Sequence, residues 1–198
     1  MELIKRLLKY CVYLTLMTTL STTAADKTAT AIFAAGCFWC AENDFEKVPG
    51  VIKVTSGYTG GKEVNPTYEQ VSNGSTGHFE SIQVEYRPDK VSYSQLLDVF
   101  WHNVDPTDDK GQFCDKGKQY RSVIFYGNDK EKQLADSSKH ALVASGTFNS
   151  VATLILPAST FYAAEDYHQG YAEKNPVRYH YYRYSCGRDA RLKEVWGK

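Results

Sequence analysis

Two of the five cysteines in the chain stand three residues apart, in Gly36-Cys37-Phe38-Trp39-Cys40. The apolar run Thr30-Ala31-Ile32-Phe33-Ala34-Ala35 stops at Gly36, and a helical pattern starts just after it. Cys37 therefore falls where a strand ends and a helix begins. The free amide N–H groups of a helix's first turn favour an anion. A thiolate is such an anion, it is the nucleophilic form of cysteine, and helix N-termini lower cysteine pKa values. The pattern predicts an activated nucleophile at Cys37. Phe38 and Trp39 follow at once and are placed to wall an apolar pocket. Cys40, one helical turn on, is close enough to attack any product formed on Cys37. The competing reading is two buried thiols in a core helix, since free cysteine is among the most buried residue types.

Three other places combine a polar group with glycine or aromatic company: Tyr58 in Gly57-Tyr58-Thr59-Gly60-Gly61, Glu80 in Gly77-His78-Phe79-Glu80, and Asp115 with Tyr120 in Asp115-Lys116-Gly117-Lys118-Gln119-Tyr120-Arg121-Ser122. Each is weak alone. A single glutamate at a strand start is usually solvated, and a tyrosine in a glycine-rich loop more often packs than reacts.

The elements that must position these residues read as follows. Residues 30–35 form a buried strand, and Cys37 to about Lys47 a helix closed by Pro49-Gly50. Val51 to Gly57 is strand-like. Asn65-Pro66-Thr67 opens a short helix around Tyr68 to Val71. Ile82, Val84 and Tyr86 alternate with polar residues in a strand. Ser92 caps a helix whose apolar face is Leu96, Leu97, Phe100, Trp101 and Val104. Asp105 to Lys118 is a long polar segment without periodicity, and such segments are often functional. Then come a strand at Tyr120 to Tyr126, a surface helix from Asp129 to about Ser145, and a strand at Ala152 to Leu156. A short helix at Glu165 to Asn175 carries His168, an aromatic run spans Tyr179 to Tyr184, and a last helix lies near Asp189 to Trp196. Some adjacent strands lack a helix between them. That order predicts an α+β two-layer sandwich with a mixed or antiparallel sheet, of the ferredoxin-like plait kind, with long irregular segments.

The whole chain has 198 residues, 42% apolar and 23% charged, which suits one domain. Its zero formal charge argues against a nucleic-acid or anionic-membrane surface. Lys5, Arg6 and Lys9, an apolar core from Cys11 to Leu20, and small residues through Ala25 have the layout of a secretory signal cleaved after Ala25. The alternative is an uncleaved anchor. Cleavage would leave residues 26–198 as a single domain with Cys37, Cys40, Cys114 and Cys186, exported and periplasmic. In an oxidising compartment those four could be two structural disulfides, but a domain this size does not need them.

Taken together, Gly36-Cys37-Phe38-Trp39, Gly57-Tyr58-Thr59-Gly60-Gly61, Asn65-Pro66-Thr67-Tyr68, Gly77-His78-Phe79-Glu80, Asp105-Pro106-Thr107 and Gln119-Tyr120-Arg121-Ser122 fall in the order and spacing of the A-type methionine sulfoxide reductases. Phe161 to Gln169 also resembles them. The likeness covers about residues 30–196. It implies reduction of methionine S-sulfoxide, in proteins and free, by attack of Cys37 on the sulfoxide sulfur. Glu80 would supply a proton, Tyr58 and Tyr120 would hydrogen-bond the oxygen, Phe38 and Trp39 would hold the S-methyl group, and Asp115 would orient the substrate or Tyr120. Cys37 is left as sulfenic acid, which a second thiol closes to a disulfide. A thioredoxin-like donor would then reduce it. The resemblance implies no cofactor and no metal, and a monomer is expected. The chain departs from the common pattern in having Cys40 where glycine usually follows the tryptophan, and in lacking a glycine-rich tail with two cysteines. Cys186 is the favoured resolving thiol because similar C-terminal cysteines serve this role in the family, with Cys40 and Cys114 as alternatives.

Two rival readings use the same cysteines. A thiol–disulfide oxidoreductase would run on Cys37 and Cys40 alone and need nothing from Glu80. A metal-binding module would use Cys37, Cys40, Cys114 and a histidine, although zinc sites usually bring two close pairs.

Overall fold

The structure is a computed structural model that describes residues 27–197. The segment read as a secretory signal lies outside the described residues. Strand β1 (Ala29–Ala34) leads through Gly36 into helix α1 (Phe38–Glu46). Strand β2 (Val51–Thr59), the short helix α2 (Tyr68–Ser72) and strand β3 (Phe79–Tyr86) follow. Thr67 caps α2, and Ser92 caps helix α3 (Tyr93–His102). In each a hydroxyl accepts from the backbone three residues on, and a glutamine there returns the bond. Strand β6 (Val123–Tyr126), helix α4 (Asp129–Ala144) and strand β7 (Leu154–Pro157) make a crossover unit, with β6 and β7 parallel.

The sheet runs β7-β6-β1-β3-β2-β8, with β8 at Tyr162–Ala163. Every pairing except β6 with β7 is antiparallel, so the sheet is mixed. Phe33 explains why helices cover one face. It alternates inward from β1 and stacks on Phe45 of α1 and on Tyr93 and Phe100 of α3, with ring centroids 5.3 to 6.2 Å apart. Fully burying each of these phenylalanines is worth about 1.5–3 kcal/mol. A second cluster of Ala34, Val123 and Phe125 packs with Ile32, Leu154 and Leu156.

Three segments differ from the sequence reading. The polar stretch 105–118 is not wholly irregular: Gly111–Gln112 (β4) and Asp115–Lys116 (β5) pair as a small hairpin. The expected helix at 165–175 is broken into a single turn at Asp166–His168 and helix α5 (Tyr171–Lys174), because Gly170 between them is left-handed at φ 58°. The aromatic run is helix α6 (Pro176–Ser185), with proline in its first turn where it costs no hydrogen bond. Helix α7 (Arg188–Trp196) follows the left-handed Gly187. Among the described residues no helix is long and apolar enough to cross a membrane.

Candidate active site

Cys37 sits at the N-cap of α1, immediately after the turn that Gly36 makes at φ +80°. Any other residue at 36 would hold a strained backbone, and its Cβ would lie 2.7 Å from the Cβ of Gln112. Glu80 reaches the same point from the sheet. It pairs with Tyr58 across β3 and β2, so both side chains leave the sheet toward α1. The backbone N–H of Phe38, in the first turn of α1, donates to Glu80 Oε2 at 3.2 Å. Cys37 and Glu80 thus face one small cavity of about 60 Å³, whose walls include Phe38, Trp39, Tyr68, Asp115, Tyr120 and Tyr182. That is room for a few water-sized groups, enough for the end of one side chain.

Burial sets the protonation states. Glu80 is 2% exposed. Burial, reinforced by the negative charges of Asp115 and Cys40 and opposed by the Phe38 N–H, pushes its carboxyl up to about 8. It therefore holds its proton at neutral pH. Tyr68 is pushed up to about 12 and Tyr120 higher still, in both cases chiefly by burial, so both remain hydroxyl donors. Asp115 is also raised by burial, although it accepts a 2.5 Å hydrogen bond from Tyr182.

Cys37 corrects the sequence reading. The helix N-terminus was expected to lower its pKa. Instead burial, the hydrogen bond to Cys40 and the charges of Cys40, Glu80 and Asp115 hold it well above the ordinary thiol range. Cys40 is the thiol whose pKa is lowered, to about 7, first by its hydrogen bond with Cys37 and then by the Arg188 and Arg183 cations, against burial. The pair rests as a Cys37 thiol beside a Cys40 sulfur that ionises near neutrality.

Of the residues singled out in sequence, Cys37, Phe38, Trp39, Glu80, Asp115 and Tyr120 come together in the cavity, with Cys40 packed behind Cys37 in a cluster with Tyr171 and Tyr179. Tyr58 does not line the cavity. Its ring packs on Phe38, it is fully buried, and its hydroxyl donates to Glu165 Oε2 at 2.7 Å. Glu165 in turn accepts from the Tyr68 N–H at 2.9 Å. Tyr58 is thus linked through Glu165 to Tyr68, whose side chain does line the cavity. Cys186 is bonded to Cys114, 72 residues away in sequence, and its sulfur lies 4.0 Å from Oδ2 of Asp115, a wall of the Cys37 cavity. Cys37 and Cys40 are the free cysteines among the described residues. The rival metal set is not assembled, because the Cys114 sulfur is taken by that disulfide. Sequence reasoning missed Tyr68, Tyr182 and the supports of Trp39. The Trp39 Nε1–H donates to His168 Nδ1 at 3.0 Å, and its ring stacks on Tyr171 at 3.7 Å and 6°. A tyrosine at the capped start of a short helix was the available signal for Tyr68. Helical spacing of Tyr179, Tyr182 and Cys186 was the signal for Tyr182.

Comparison with known proteins agrees with this arrangement. The family described as "Peptide methionine sulfoxide reductase" matches residues 29–198. "Peptide methionine sulfoxide reductase MsrA 2" of Caulobacter vibrioides is 51% identical over 174 residues, 88% of each chain. The MsrA of Bacillus licheniformis is 50% identical over 88% of this chain and 97% of its own. Among solved structures, Mxr1 of Saccharomyces cerevisiae in reduced form superposes with a TM-score of 0.70 at 36% identity, covering 76% of this chain and 87% of Mxr1. The same yeast protein has also been solved in complex with Trx2, there with a TM-score of 0.50 and 28% identity, covering 74% of this chain and 86% of that one. The chain belongs to the A-type peptide methionine sulfoxide reductase family.

Proposed function

We propose that this chain reduces methionine S-sulfoxide, free and in proteins, to methionine. The observation that carries the reading is that the Cys37 sulfur and a Glu80 carboxyl kept neutral by burial share one small aromatic-walled cavity. The methyl group packs against Phe38 and Trp39, where sulfur–aromatic contact is favourable. The sulfoxide oxygen takes hydrogen bonds from Tyr68 and Tyr120 and a proton from Glu80, which makes the sulfur electrophilic. Cys37 attacks that sulfur as its own proton passes to Cys40. In the adduct so formed the hydroxyl passes from the substrate sulfur to the Cys37 sulfur as the new S–S bond breaks, so that methionine leaves and Cys37 is left as sulfenic acid. A general acid placed this way typically contributes about 10²–10⁴-fold. A thiol then condenses with the sulfenic acid, releasing water and forming a disulfide.

The strand order β6-β1-β3-β2, with α1 and α3 meeting on Phe33, supports the reading of a ferredoxin-like plait extended by β7 and β8. The yeast complex with Trx2 supports a thioredoxin-like protein as electron donor. The layout of residues 1–25 supports export, and with it a donor outside the cytoplasm. Fractionation that recovered the protein only in the cytosol would end that part of the reading. The activity itself is tested by giving the purified chain racemic N-acetyl-methionine sulfoxide with dithiothreitol. The S epimer is consumed and the R epimer remains. Consumption of neither, or of the R epimer alone, refutes the assignment.

A further inference from the structure

Arg188, the first residue of α7, is 1% exposed, and the mechanism above does not use it. A buried guanidinium is costly unless a carboxylate pairs with it and its donors are bonded. Here the donors meet carbonyls. Nη1 donates to the Ala35 carbonyl at 3.1 Å, and Nη2 donates to the Asn103 carbonyl at 2.7 Å. Ala35 is the first residue past β1 and stands two before Cys37, while Asn103 is the C-cap of α3. Both carbonyls fall where a regular element stops supplying donors. The Phe113 ring lies against the guanidinium at 4.6 Å. Nε is buried without a hydrogen-bond partner. Asp44 Oδ2 lies 3.8 Å from it, but both Asp44 oxygens accept from Arg183 Nη1 at 2.9 and 3.0 Å. Arg188 thus keeps charge to spare directly beneath the turn that carries Cys37. A Cβ on Gly36 would lie 3.8 Å from its Nη1.

We propose that Arg188 is a positioning residue for the sulfoxide-reducing step: its fork fixes the turn that presents Cys37, and its charge faces the negative charge held by the Cys37–Cys40 pair. The proposal rests on the reading that Cys37 attacks a sulfoxide. Fork and charge are separable. A guanidinium holds five donors in one plane and reaches two carbonyls on different elements, whereas an ammonium is a compact point charge.

The electrostatics agree with this placement. Arg188 favours the ionised forms of Cys40 and Asp115. Cys40 is faced by Cys37 and Asp44 beside α1 and by Glu80 from β3. Tyr171 of α5 and Tyr179 and Arg183 of α6 face it from the other side. Asp189 adds a carboxylate on the same helix as Arg188. Arg183 is already engaged by the carboxylates of Asp44 and Asp189. Arg188 has no carboxylate hydrogen-bonded to it, so its loss changes the field at Cys40 without freeing a bonded partner charge.

The test compares Arg188→Met and Arg188→Lys in a Cys11→Ser chain that keeps the Cys114–Cys186 disulfide, so that Cys37 and Cys40 are its thiols. Ultraviolet thiolate absorbance against pH reads the pair. Rapid quench with one equivalent of N-acetyl-methionine S-sulfoxide reads methionine formed in the first turnover. The unsubstituted Arg188 chain ionises one thiol near pH 7. In Arg188→Met that midpoint rises by about one pH unit, which is about tenfold less thiolate below it, and the first-turnover rate at neutral pH falls at least as far. In Arg188→Lys the midpoint stays in place, yet the rate falls about 10–100-fold at every pH because the turn is no longer fixed. A lysine variant with an undiminished rate overturns the fork. A methionine variant with an unmoved midpoint, or a lysine variant whose midpoint moves as far, overturns the charge. Arg188→Gln, neutral but still a donor, replaces the methionine variant if that one does not fold. Absence of methionine from the chain with Arg188 in place would overturn the reductase reading instead, and the thiolate titration, which needs no substrate, still decides the charge.

Discussion

Replacing Glu80 with glutamine separates the acid from the shape of the site. Glutamine keeps an oxygen to accept the Phe38 N–H, which Glu80 now holds at 3.2 Å, and keeps nearly the same volume. It has no proton to give at the sulfoxide oxygen, so kcat falls by about 10²–10⁴-fold. The limb of the wild-type pH profile that declines as Glu80 ionises, around pH 8, disappears with it. Stability moves the other way. The unfolded chain releases this proton near 4.5 and the folded chain near 8, so in between the folded state binds more protons and stability falls as pH rises. At about 1.4 kcal/mol per pH unit, the wild type loses roughly 3–4 kcal/mol from this group between pH 5 and pH 8, a loss that glutamine cannot suffer. Urea unfolding of both proteins at pH 5, 6, 7 and 8 measures the difference, and stopped assays with N-acetyl-methionine S-sulfoxide measure the rates. A variant within tenfold of wild-type kcat, or a stability difference that does not change with pH, would refute the assignment of a neutral carboxyl to position 80.

Other outcomes follow from the same geometry. Tyr68→Phe removes a hydroxyl from the cavity and lowers kcat about 10–100-fold, whereas Tyr58→Phe leaves Glu165 short of a partner and costs about 1–2 kcal/mol of stability with kcat held within an order of magnitude. Steady-state rates and urea midpoints on the pair decide which tyrosine serves the substrate. Gly36→Ala forces an L residue to φ +80° against Gln112 and costs about 1–2 kcal/mol from the backbone alone, read as a lower urea midpoint. Trp39→Phe loses the hydrogen bond to His168 and part of the stack on Tyr171, worth about 0.5–1.5 kcal/mol, and appears mainly as a higher KM.

The junction that presents Cys37 was legible because an apolar run ending at glycine, followed by helical spacing, is a local signal. The same holds for the capped helices at Thr67 and Ser92. The protonation of the pair was not legible. One-turn spacing brings Cys40 to Cys37, but their protonation is set by the hydrogen bond between them, by burial, and then by the charges of Arg188 and Arg183, carried there by helices packed from the far end of the chain. Tyr58 was misplaced for a similar reason. The glycines after it suggested a loop, yet it lies within β2, and its register opposite Glu80 turns it onto Phe38 and Glu165. The Cys114–Cys186 bond spans 72 residues, and no local pattern selects one pairing of four cysteines over another.

The central claim is that the oxygen leaves the substrate onto the sulfur of Cys37. A Cys40→Ser/Cys114→Ser/Cys186→Ser variant has no second cysteine among residues 27–197 to close the intermediate. Mixed with one equivalent of N-acetyl-methionine S-sulfoxide and trapped with dimedone, it should give about one methionine and a single adduct, on Cys37. Methionine formed without an adduct at Cys37, or formed equally well when Cys37 is also changed to serine, would contradict the account.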